Sequence, residues 1–517
     1  MTAPAGRPWA GPTRRRAVVQ TSGTSLGDLA TRIRARLGEC LLSGDRETGI
    51  AAVQFDHREI RQMRRAGSAV APAVGDLFCC LPGEHHDGHA FAAMAREAGA
   101  VAFLCERDLG EATGGAAQLI VEPGAARAAM AEAACAIRHD PAQHLLTIGV
   151  TGTNGKTTTT YLLCSILSQA GYKPGLVGTL SGSRTTPEAP DLQERFEISR
   201  LVAESEQRPG AVALEVTSHA LVQHRVDGYV HDVAVFTNLS QDHLDYHGTM
   251  EAYFEAKALL FTPGHSRRAV VNADDAYGRR LLERAAVPTE AFSMGEAEKL
   301  DLRAEGSRFV LRGHEVELPL IGRFNVENAL AAAAAARAAG IEDGAIAEGL
   351  SRAIPVPGRL ELVPNALGLT AVVDYAHTPA GLEQACATLK QVSAGDGRLV
   401  VVFGAGGDRD HEKRRPMGHA ASVHADRAVV TTDNPRHEDP LAIIDEIVAG
   451  CDGGAELHVE PDRRAAIGLG LSLADRGDIL LVAGKGHERT QQVGDDFLEF
   501  DDRLVIAEEA ERLAGAA

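Results

Sequence analysis

The sequence predicts an α/β protein of three domains, and three observations support this prediction. The chain has 517 residues, and domains of about 150 residues are usual. Short, continuous apolar runs alternate with Ala- and Leu-rich runs, which is the pattern of buried parallel strands joined by helices. Polar, Gly-rich segments follow nearly every apolar run. Open α/β sheets bind their ligands beyond the carboxyl ends of their strands, which is where these segments lie.

Eight apolar runs are predicted as strands, and one long Ala-rich run is predicted as a helix over residues 325–339. The strands are predicted at residues 145–150, 211–216, 232–236, 269–272, 370–374, 398–403, 427–431 and 478–483. Pro141 precedes the first strong strand, and a Pro- and Gly-rich stretch at 355–358 interrupts the pattern. These breaks predict a disordered tail and three domains. The predicted bounds are 1–24 for the tail, 25–143 for an N-terminal domain, 144–356 for a central domain and 357–517 for a C-terminal domain.

The composition is typical of a soluble globular protein. Hydrophobic residues make up 44% and charged residues 24% of the chain, which excludes a disordered or collagen-like chain. Lys and Arg total 52 against 71 Asp and Glu, so the net charge is −19. This acidic balance argues against a general binder of nucleic acid or of anionic membranes.

Cysteine usage and the absence of long apolar runs predict the compartment. The eight cysteines are scattered without CxxC spacing, so a structural zinc site is not expected, and a reducing cytoplasm suits them. No run approaches the ~20 apolar residues of a membrane span, and no apolar segment follows Arg14, Arg15 and Arg16 as it would in a signal peptide. We therefore expect a cytoplasmic protein without a nucleic-acid or membrane partner. We also expect small-molecule substrates and a monomer, although cysteines and apolar runs do not bear on either.

A Gly-rich loop lies between the strand at 145–150 and an amphipathic helix. It consists of Gly152, Thr153, Asn154, Gly155, Lys156, Thr157 and Thr158. Glycines let backbone N–H groups surround phosphate oxygens, and a helix N-terminus adds partial positive charge. Lys156 would reach the β/γ-phosphates, and the Thr157 hydroxyl would bind Mg²⁺. Val150 occupies a glycine position of the strict GxxxxGK[ST] pattern, so the match is to a shorter GxxGKT loop. The alternative is a Gly-rich turn with a chance lysine.

Acidic residues and histidines after two further strands are candidate metal ligands. Glu215, at the end of a neighbouring apolar strand, could be a second Mg²⁺ ligand, or a carboxylate facing solvent. The segment 238–248 contains Asp242, His243, Asp245 and His247. These side chains could ligate a metal, or they could form a hydrogen-bonded loop without one.

Lys257 presents a different problem, because it shares an apolar helix face with Tyr253, Phe254, Leu260 and Phe261. A lysine there is desolvated unless it is paired or modified. The alternative is that its side chain extends along the helix to solvent. A further Gly-rich segment at 404–407 lacks the GxGxxG context of a dinucleotide site, so a Rossmann cofactor is rejected.

Taken together, these segments resemble the Mur ligase family of peptidoglycan synthesis. The motifs GTNGKTT, NLSQDHLDYHGTMEAYFEAK, GRFNVENA, PGRLE, VDYAHTP, GAGGDRD, DNPR and GKGHE occur in the family's order, over roughly residues 50–510. The resemblance implies a central P-loop-type ATPase domain with a mostly parallel sheet, a Rossmann-like C-terminal α/β domain and a smaller N-terminal α/β domain. It also implies an ATP-dependent amide ligase, in which the γ-phosphate of ATP converts a substrate carboxylate to an acyl phosphate that an amine then attacks.

The resemblance also implies the roles of individual residues. Lys156, Glu215, His243 and Lys257 are the implied catalytic residues, and Mg²⁺ is held by Thr157, Glu215, His243 and Lys257, the lysine as a carbamate. ATP is implied to contact the loop at 152–158 and Asn325, Arg359, Asp374 and His377. The acid substrate, UDP-N-acetylmuramoyl-L-Ala-D-Glu, is assigned Phe55, His57, Glu84, His85, His86, Asp87, Arg184, Thr185, Thr186, Thr217, Gln223 and Arg225.

The DNPR motif resembles that of family members that add meso-2,6-diaminopimelate. The implied contacts of this amino acid are Arg409, Asp433, Asn434, Pro435, Arg436, Gly484 and Glu488. A guanidinium such as that of Arg436 binds a carboxylate bidentately, and Glu488 suits an ammonium. The alternative for Arg436 is an ordinary surface salt bridge.

The chain departs from the family pattern in its N-terminal part. Phe55-Asp56-His57-Arg58 stands where LDSR is usual, and about ten extra residues follow within 59–73. Two other hypotheses therefore remain open. One is a Mur-like ligase that uses LL-diaminopimelate, L-Lys or a different acid and amine. The other is a non-catalytic nucleotide-binding protein, against which the intact Lys156, Lys257, Arg359 and His243 argue.

Overall fold

A computed structural model of the chain describes residues 24–60, 74–83, 86–181, 184–393 and 397–516. Their contacts divide the chain into two compact units, each described here by itself. Unit 1 consists of the described residues of Met1–Ser293 and Leu330–Gly349, and unit 2 of those of Met294–Ala329 and Leu350–Ala517. The predicted domain boundaries near residues 143 and 356 stay predictions, and residues 1–23 of the predicted tail lie outside the described ranges.

The first sheet of unit 1 has six strands in the order β1-β3-β4-β5-β6-β2. The strands are β1 (Thr24–Ser25), β2 (Cys40–Ser43), β3 (Gly49–Gln54), β4 (Val74–Cys79), β5 (Ala102–Cys105) and β6 (Ala117–Val121). β3 to β6 are parallel, while β1 and β2 pair antiparallel at the two edges. The helices in this part are Leu26–Leu37, Ala92–Ala98 and Ala126–Ile137, with 3₁₀ turns at Gly88–Phe91 and Gly110–Thr113. Leu29, Leu104 and Met130 are buried together in the core between the sheet and the helices.

The second sheet of unit 1 is parallel throughout, in the order β12-β11-β10-β7-β9-β8. Its strands are β7 (Leu145–Thr151), β8 (Lys173–Val177), β9 (Gly210–Glu215), β10 (Val233–Phe236), β11 (Ala269–Asn272) and β12 (Thr289–Phe292). The helices are Lys156–Gln169, Ala189–Ser205, Ser218–Val222, Leu244–His247, Met250–Ala258 and Ala276–Arg284, and 3₁₀ turns lie at Pro141–His144, Thr179–Ser181 and Leu259–Phe261. The register sets Val150 opposite Glu215 and Thr151 opposite Phe236. The carboxyl ends of β7, β9 and β10 therefore meet at one edge of the sheet.

Unit 2 contains a six-stranded sheet in the order β16-β17-β21-β18-β19-β20, an antiparallel meander β13-β14-β15 and a hairpin β22-β23. The strands are β13 (Glu298–Arg303), β14 (Gly306–Leu311), β15 (His314–Leu318), β16 (Glu361–Leu362), β17 (Thr370–Asp374), β18 (Leu399–Phe403), β19 (Arg427–Val430), β20 (Glu456–Val459), β21 (Ile479–Ala483), β22 (Thr490–Val493) and β23 (Asp496–Glu499). The helices are Pro379–Val392, Arg414–His424, Pro440–Val448, Arg463–Leu473 and Asp502–Ala516, and a 3₁₀ turn lies at Met294–Glu296. Only β16 runs antiparallel within the large sheet.

The predicted α/β class with mostly parallel sheets is confirmed. All eight predicted strands are strands in the structure, and those at Ala269–Asn272 and Thr370–Asp374 have the predicted bounds. The Ala-rich helix spans Arg323–Ala338, and a second helix spans Asp343–Ser351. Within the described ranges, no helix combines the length and apolar character that crossing a bilayer requires.

Candidate active site

The Gly-rich loop lies between β7 and the helix Lys156–Gln169, and two of its glycines are needed for its shape. Gly152 has a φ of 150° and Gly155 a φ of 86°, in the region that favours glycine. A Cβ atom at position 152 would lie 1.9 Å from Thr237 Oγ1. The loop therefore approaches the end of β10 so closely that only glycine fits.

Hydrogen bonds within the loop and to Asn238 fix the shape of the loop. Lys156 Nζ donates to the carbonyl oxygens of Gly152 at 2.9 Å and Thr153 at 2.8 Å. Asn154 N–H donates to Asn238 Oδ1 at 3.0 Å, and Thr158 lies buried in the first helical turn. A glycine-shaped loop before a helix N-terminus, with an ammonium held across it, fits the phosphates of a nucleotide.

Glu215 and Thr157, two of the four residues predicted to hold Mg²⁺, are in contact. Glu215 is buried at the end of β9. Its Oε2 accepts from Thr157 Oγ1 at 3.0 Å and from Thr179 Oγ1 at 3.2 Å, and its Oε1 accepts from Thr179 N–H at 2.9 Å. Mg²⁺ in nucleotide sites takes one or two carboxylates together with phosphate oxygens, and this hydroxyl–carboxylate pair fits that requirement.

Lys257 lies on the helix Met250–Ala258 and is 1% exposed. Its Nζ donates to the carbonyl oxygen of Gly152 at 2.9 Å and lies 4.6 Å from the ring centroid of Tyr253. Burial holds the pKa of Lys257 well below its usual value, and the charge of Lys156 lowers it further, against an opposing effect of Asp242. The alternative of a lysine extended to solvent is wrong, because the amine is directed at the Gly-rich loop.

His243 lies near the Tyr253 ring, which Lys257 also approaches, and its side chain is more exposed than that of Lys257. It has a φ of 52°, and its ring lies 4.9 Å from that of His219 and 6.1 Å from that of Tyr253, measured between centroids. Its Nε2 is 3.4 Å from Asp242 Oδ2. Among the residues that the structure describes, no group of three His, Cys, Asp or Glu side chains is arranged as a metal site. The predicted role of His243 as a ligand stays a prediction.

Five of the residues predicted for the acid substrate form a cluster of hydrogen bonds beside Glu215. They are Thr185, Thr186, Thr217, Gln223 and Arg225. Thr186 Oγ1 donates to the Glu215 carbonyl at 2.7 Å and accepts from Thr217 N–H at 3.2 Å. Arg225 donates from Nη1 to the Thr186 carbonyl at 2.9 Å and from Nη2 to Gln223 Oε1, and Thr185 Oγ1 lies 3.1 Å from Thr179 Oγ1. The cluster therefore shares Glu215 with the candidate magnesium pair.

Sequence reasoning missed Glu188, which organises the arginines around this cluster. Three guanidinium groups lie within ion-pair distance of its carboxylate: Arg184 at 2.6 Å, Arg225 at 3.2 Å and Arg127 at 3.4 Å. Burial lowers the pKa of Arg225. Three positive charges against one leave an excess that suits an anionic ligand. The available signal was position, since Glu188 directly follows Thr185-Thr186-Pro187.

Two candidates from the N-terminal part, Phe55 and His57, have different surroundings. Phe55 lines a cavity of about 660 Å³ together with Arg184, Glu188 and Asp191. The His57 ring stacks on Phe91, with centroids 5.3 Å apart and planes 10° apart.

The predicted second contact loop lies partly outside the described residues. His86 meets the same Phe91 ring edge-on at 6.4 Å, and Arg107 holds the pKa of Asp87 below its usual range through a hydrogen bond at 2.7 Å. Glu84 and His85, like most of the extra residues, lie outside the described ranges.

In unit 2, three of the residues predicted for ATP surround Tyr375. The buried Asp374 accepts from the N–H groups of Leu360 at 2.7 Å and Ala376 at 2.8 Å, and burial raises its pKa. The Arg359 guanidinium lies 5.2 Å from the Tyr375 ring centroid, and His377 Nδ1 is 2.8 Å from the Tyr375 carbonyl oxygen.

Asn325, the fourth of these residues, is buried near the start of the helix Arg323–Ala338. Its Nδ2 donates to the Ile321 carbonyl at 2.9 Å. Within the described part of unit 2, no hydrogen bond joins Asn325 to Arg359, Asp374 or His377.

The residues predicted for the amino acid meet at the ends of β19 and β21. We call Asp433, Asn434, Arg436, Gly484 and Glu488 the amino-acid pocket. Asn434 Nδ2 donates to Glu488 Oε2 at 2.9 Å. A Cβ atom at Gly484, whose φ is 117°, would lie 2.3 Å from Asp433 Oδ2. The DNPR and GKGHE motifs are therefore in direct contact.

Arg436 is half-buried and held on both sides. Its Nη1 donates to the Gly407 carbonyl at 2.7 Å, and its backbone N–H donates to Gln492 at 3.2 Å. A Cβ atom at Gly407 would lie 1.9 Å from the Pro435 carbonyl oxygen. The loop that carries Arg409 thus packs on the DNPR motif, while the Arg409 side chain itself is exposed.

Lys485 is a second residue that sequence reasoning missed. It is completely buried, and its Nζ donates to Asn434 Oδ1 at 3.1 Å, Glu488 Oε2 at 3.2 Å and the Thr490 carbonyl at 2.7 Å. The signal was a lysine between Gly484 and Gly486 close after a buried strand, as Lys156 also follows a glycine in a Gly-rich segment after a buried strand.

Three family models match the chain. The model described as "Mur ligase middle domain" matches residues 150–336, and "Mur ligase, glutamate ligase domain" matches residues 358–486. The model described as "Mur ligase family, catalytic domain" matches residues 59–138.

Curated relatives match over nearly their whole length. The UDP-N-acetylmuramoyl-L-alanyl-D-glutamate--2,6-diaminopimelate ligase of Streptomyces avermitilis is 42% identical, over 96% of this chain and 98% of its own. The protein of the same name from Geobacillus thermodenitrificans is 44% identical, over 88% and 94%.

Two solved structures are also similar. A structure of a UDP-N-acetylmuramoyl-L-alanyl-D-glutamate--2,6-diaminopimelate ligase has a TM-score of 0.68 at 32% identity and covers 95% of this chain and 99% of its own. The folylpolyglutamate synthase of Mycobacterium tuberculosis, solved with ADP and AMPPCP, has a TM-score of 0.55 at 20% identity, over 76% and 96%. The second likeness is one of fold.

Replacing Gly152 by alanine tests whether the loop binds nucleotide phosphates. The new Cβ would collide with Thr237 Oγ1, and the strain of about 1–3 kcal/mol at such a φ would displace the loop. We expect the affinity for a non-hydrolysable ATP analogue, measured by calorimetry, to fall about tenfold or more. The control is Gly264→Ala, at an exposed glycine whose Cβ would meet nothing closer than 4.0 Å. Wild-type affinity in Gly152→Ala would show that the phosphates bind elsewhere.

Proposed function

Since the chain belongs to the Mur ligase family, we propose that it is an ATP-dependent amide ligase of cytoplasmic peptidoglycan synthesis. The family prediction from sequence is confirmed. The reaction we propose adds meso-2,6-diaminopimelate to the D-Glu carboxylate of UDP-N-acetylmuramoyl-L-Ala-D-Glu, with ATP converted to ADP and phosphate. The names of the near full-length relatives support this choice of substrates.

One observation carries the proposal: the side chain of Glu215 contacts Thr157 of the Gly-rich loop, and its backbone carbonyl contacts Thr186. A ligase that makes an acyl phosphate must bring the γ-phosphate of ATP next to the carboxylate it activates. Glu215 therefore lies between Thr157, which is proposed to bind ATP, and Thr186, which is proposed to bind the acid substrate. Unit 1 alone can therefore bring these two groups together.

Each residue around Glu215 has a proposed task. The backbone of the loop and Lys156 bind the phosphates, while Thr157 and Glu215 hold Mg²⁺, and Arg225 with Thr186 and Thr217 orients the acid substrate. Bound Mg²⁺ would neutralise the charge that develops on phosphoryl oxygens. Replacing Glu215 would remove the carboxylate proposed for the metal, whereas the backbone carbonyl that accepts from Thr186 would remain.

We propose that Lys257 acts as a carbamate. Its lowered pKa favours the neutral amine, which is the form whose lone pair attacks the carbon of CO₂; a N–C bond forms and the nitrogen loses a proton. The product is an anion at a position where a cationic lysine would repel both Lys156 and Mg²⁺. His243 lies near the same Tyr253 ring as this amine. It is the further proposed ligand of Mg²⁺.

The amino-acid pocket suits the far end of diaminopimelate, the end away from the amine that attacks. Arg436 has guanidinium N–H groups beyond the one bonded to Gly407, so it can bind a carboxylate, and Glu488 can accept from an ammonium. L-Lys lacks that second carboxylate and would leave the remaining N–H groups of Arg436 without a ligand carboxylate.

A different acid substrate is the second candidate, and His57 favours it. A ring stacked on Phe91 stands where the family pattern has a serine hydroxyl, which changes the contact available to a uridine. The assay below separates these alternatives.

The proposed reaction predicts that phosphate release requires ATP, UDP-N-acetylmuramoyl-L-Ala-D-Glu and diaminopimelate together. We expect meso-diaminopimelate to support turnover and L-Lys not to, in a panel that also contains the LL-isomer. Turnover with lysine alone would contradict the role of Arg436. Failure to bind the nucleotide-sugar dipeptide, with ATP bound normally, would favour the second candidate.

Lys257→Ala is predicted to lower kcat about 100-fold or more, because the anion proposed there is lost. Added acetate or propionate should restore part of the rate by replacing the carbamate. The control is Lys257→Arg, which keeps the positive charge and cannot be carbamylated, so it should remain inactive without rescue. An active Lys257→Arg enzyme would show that charge alone suffices.

Arg436→Lys is predicted to raise KM for diaminopimelate about tenfold or more, because a point charge replaces a fork of donors. KM for ATP should not change. Arg308→Lys, at an exposed position of the meander strand β14, is the matched control. An unchanged KM for diaminopimelate would mean that Arg436 does not bind its carboxylate.

A further inference from the structure

Lys485 is a charged residue buried completely beneath the amino-acid pocket. An ammonium has three donors, and each of them has an acceptor here: Asn434 Oδ1 at 3.1 Å, Glu488 Oε2 at 3.2 Å and the Thr490 carbonyl at 2.7 Å. Two of these acceptors belong to the side chains proposed to bind the amino acid. Lys485 therefore connects the DNPR motif to the GKGHE motif and to the hairpin strand β22.

The orientation of the Asn434 amide follows from this arrangement. Its Oδ1 accepts from Lys485 Nζ and from the Gln492 N–H, the latter at 2.9 Å, so both lone pairs are used. A rotated amide would place an NH₂ group against these two donors. Nδ2 must then be directed toward Glu488 Oε2, at 2.9 Å, and its second hydrogen is left for an acceptor on a ligand.

The Glu488 carboxylate is held in the same way. Its Oε2 accepts from both Lys485 and Asn434, while the side chain stays 33% exposed. In the described part of unit 2, no hydrogen bond from a protein donor reaches Oε1. A carboxylate fixed through one oxygen can offer the other to a ligand ammonium in a defined direction.

Burying this lysine is costly, so its presence needs an explanation. Removing a charged group from water costs several kcal/mol, and a buried ion pair only partly recovers that cost. An apolar side chain of the same length would fill the space without it. What the ammonium adds is direction, because it orients two flexible side chains through a single group.

We propose that Lys485 is the positioning residue of the amino-acid pocket. It touches no reacting atom; it aims an Asn434 N–H at a carboxylate and Glu488 Oε1 at an ammonium of one α-amino acid head group. This inference deepens the proposed function and rests on it, since the head group is taken to be the far end of diaminopimelate. The pocket then recognises the ligand with hydrogen-bond donors and acceptors that are already oriented before the ligand binds.

Lys485→Met tests the proposal in the full-length enzyme. We expect KM for diaminopimelate to rise about 10- to 100-fold, because two oriented, charged contacts are loosened. The effect on kcat should be smaller, because the held head group is far from the attacking amine. KM for ATP and for the nucleotide-sugar dipeptide should change less than about twofold, which also reports that the variant is folded. Lys390→Met, at a partly exposed lysine paired with Asp426, is the control and should leave all three KM values unchanged.

A mutant cycle separates positioning from general destabilisation. If Lys485 acts through Asn434 and Glu488, then adding Lys485→Met to the Asn434→Ala/Glu488→Gln variant should change its KM for diaminopimelate little. This comparison also serves if Lys485→Met alone does not fold, since the combined variant contains no unpaired buried charge. A further rise of about tenfold, or equal rises in all three KM values, would overturn the proposal. A wild-type enzyme that does not use diaminopimelate at all would instead overturn the proposed function.

Discussion

Two lysines donate to one carbonyl oxygen, that of Gly152, and the candidate site of unit 1 depends on this contact. Lys156 and Lys257 each lie 2.9 Å from it, and Lys257 is buried against the ring of Tyr253. Two ammonium groups so close repel each other in a medium of low polarity, and this is part of why the pKa of Lys257 is low. A phosphate would relieve Lys156, and conversion to a carbamate would reverse the charge of Lys257. The arrangement therefore suits a neutral Lys257 amine, and a bound phosphate or a carbamate would remove the repulsion between the two lysines.

The register of the parallel sheets explains how distant motifs meet. In unit 1, Val150 lies opposite Glu215, and Thr151 lies opposite Phe236. The sheet therefore places three polar segments side by side at one edge: the loop after β7, the carboxylate at the end of β9 and the segment after β10. In unit 2, Asp374 lies opposite Ala483, so the residues after β17 and β21 also start together. Short connections after each strand then keep the polar groups at the edge where they emerge.

The eight strands predicted from sequence are continuous apolar runs, whereas β5, which is also fully buried over its four residues, was not predicted. β8 was missed because Lys173-Pro174-Gly175 reads as a turn, and proline is tolerated there only because β8 is the edge strand. The meander was missed because β13 alternates charged and apolar residues, as a strand with one solvated face does.

The residues of the candidate site also divide into those that local sequence predicts and those that it does not. Residues within motifs, such as Thr157 and Asn434, could be chosen from local pattern. Glu188 and Lys485 stand beside recognised motifs, but their roles could not be assigned, because Arg127, which pairs with Glu188, is 61 positions away and Asn434, which Lys485 contacts, is 51 positions away. One sequence does not show which distant residues a side chain will contact.

The two substrate clusters carry different charge balances, and each balance matches its proposed ligand. Around Glu188, three arginines face one carboxylate, so an excess of positive charge remains for an anionic nucleotide sugar. In the amino-acid pocket with Lys485, two cations, Lys485 and Arg436, balance two carboxylates, Asp433 and Glu488. Diaminopimelate with both ends ionised is likewise neutral, with two ammonium groups and two carboxylates. A neutral pocket gains little from the net charge of such a ligand, so recognition must come from where each charge is placed. That requirement is what makes a fixed direction for Asn434 and Glu488 more useful than an additional charge.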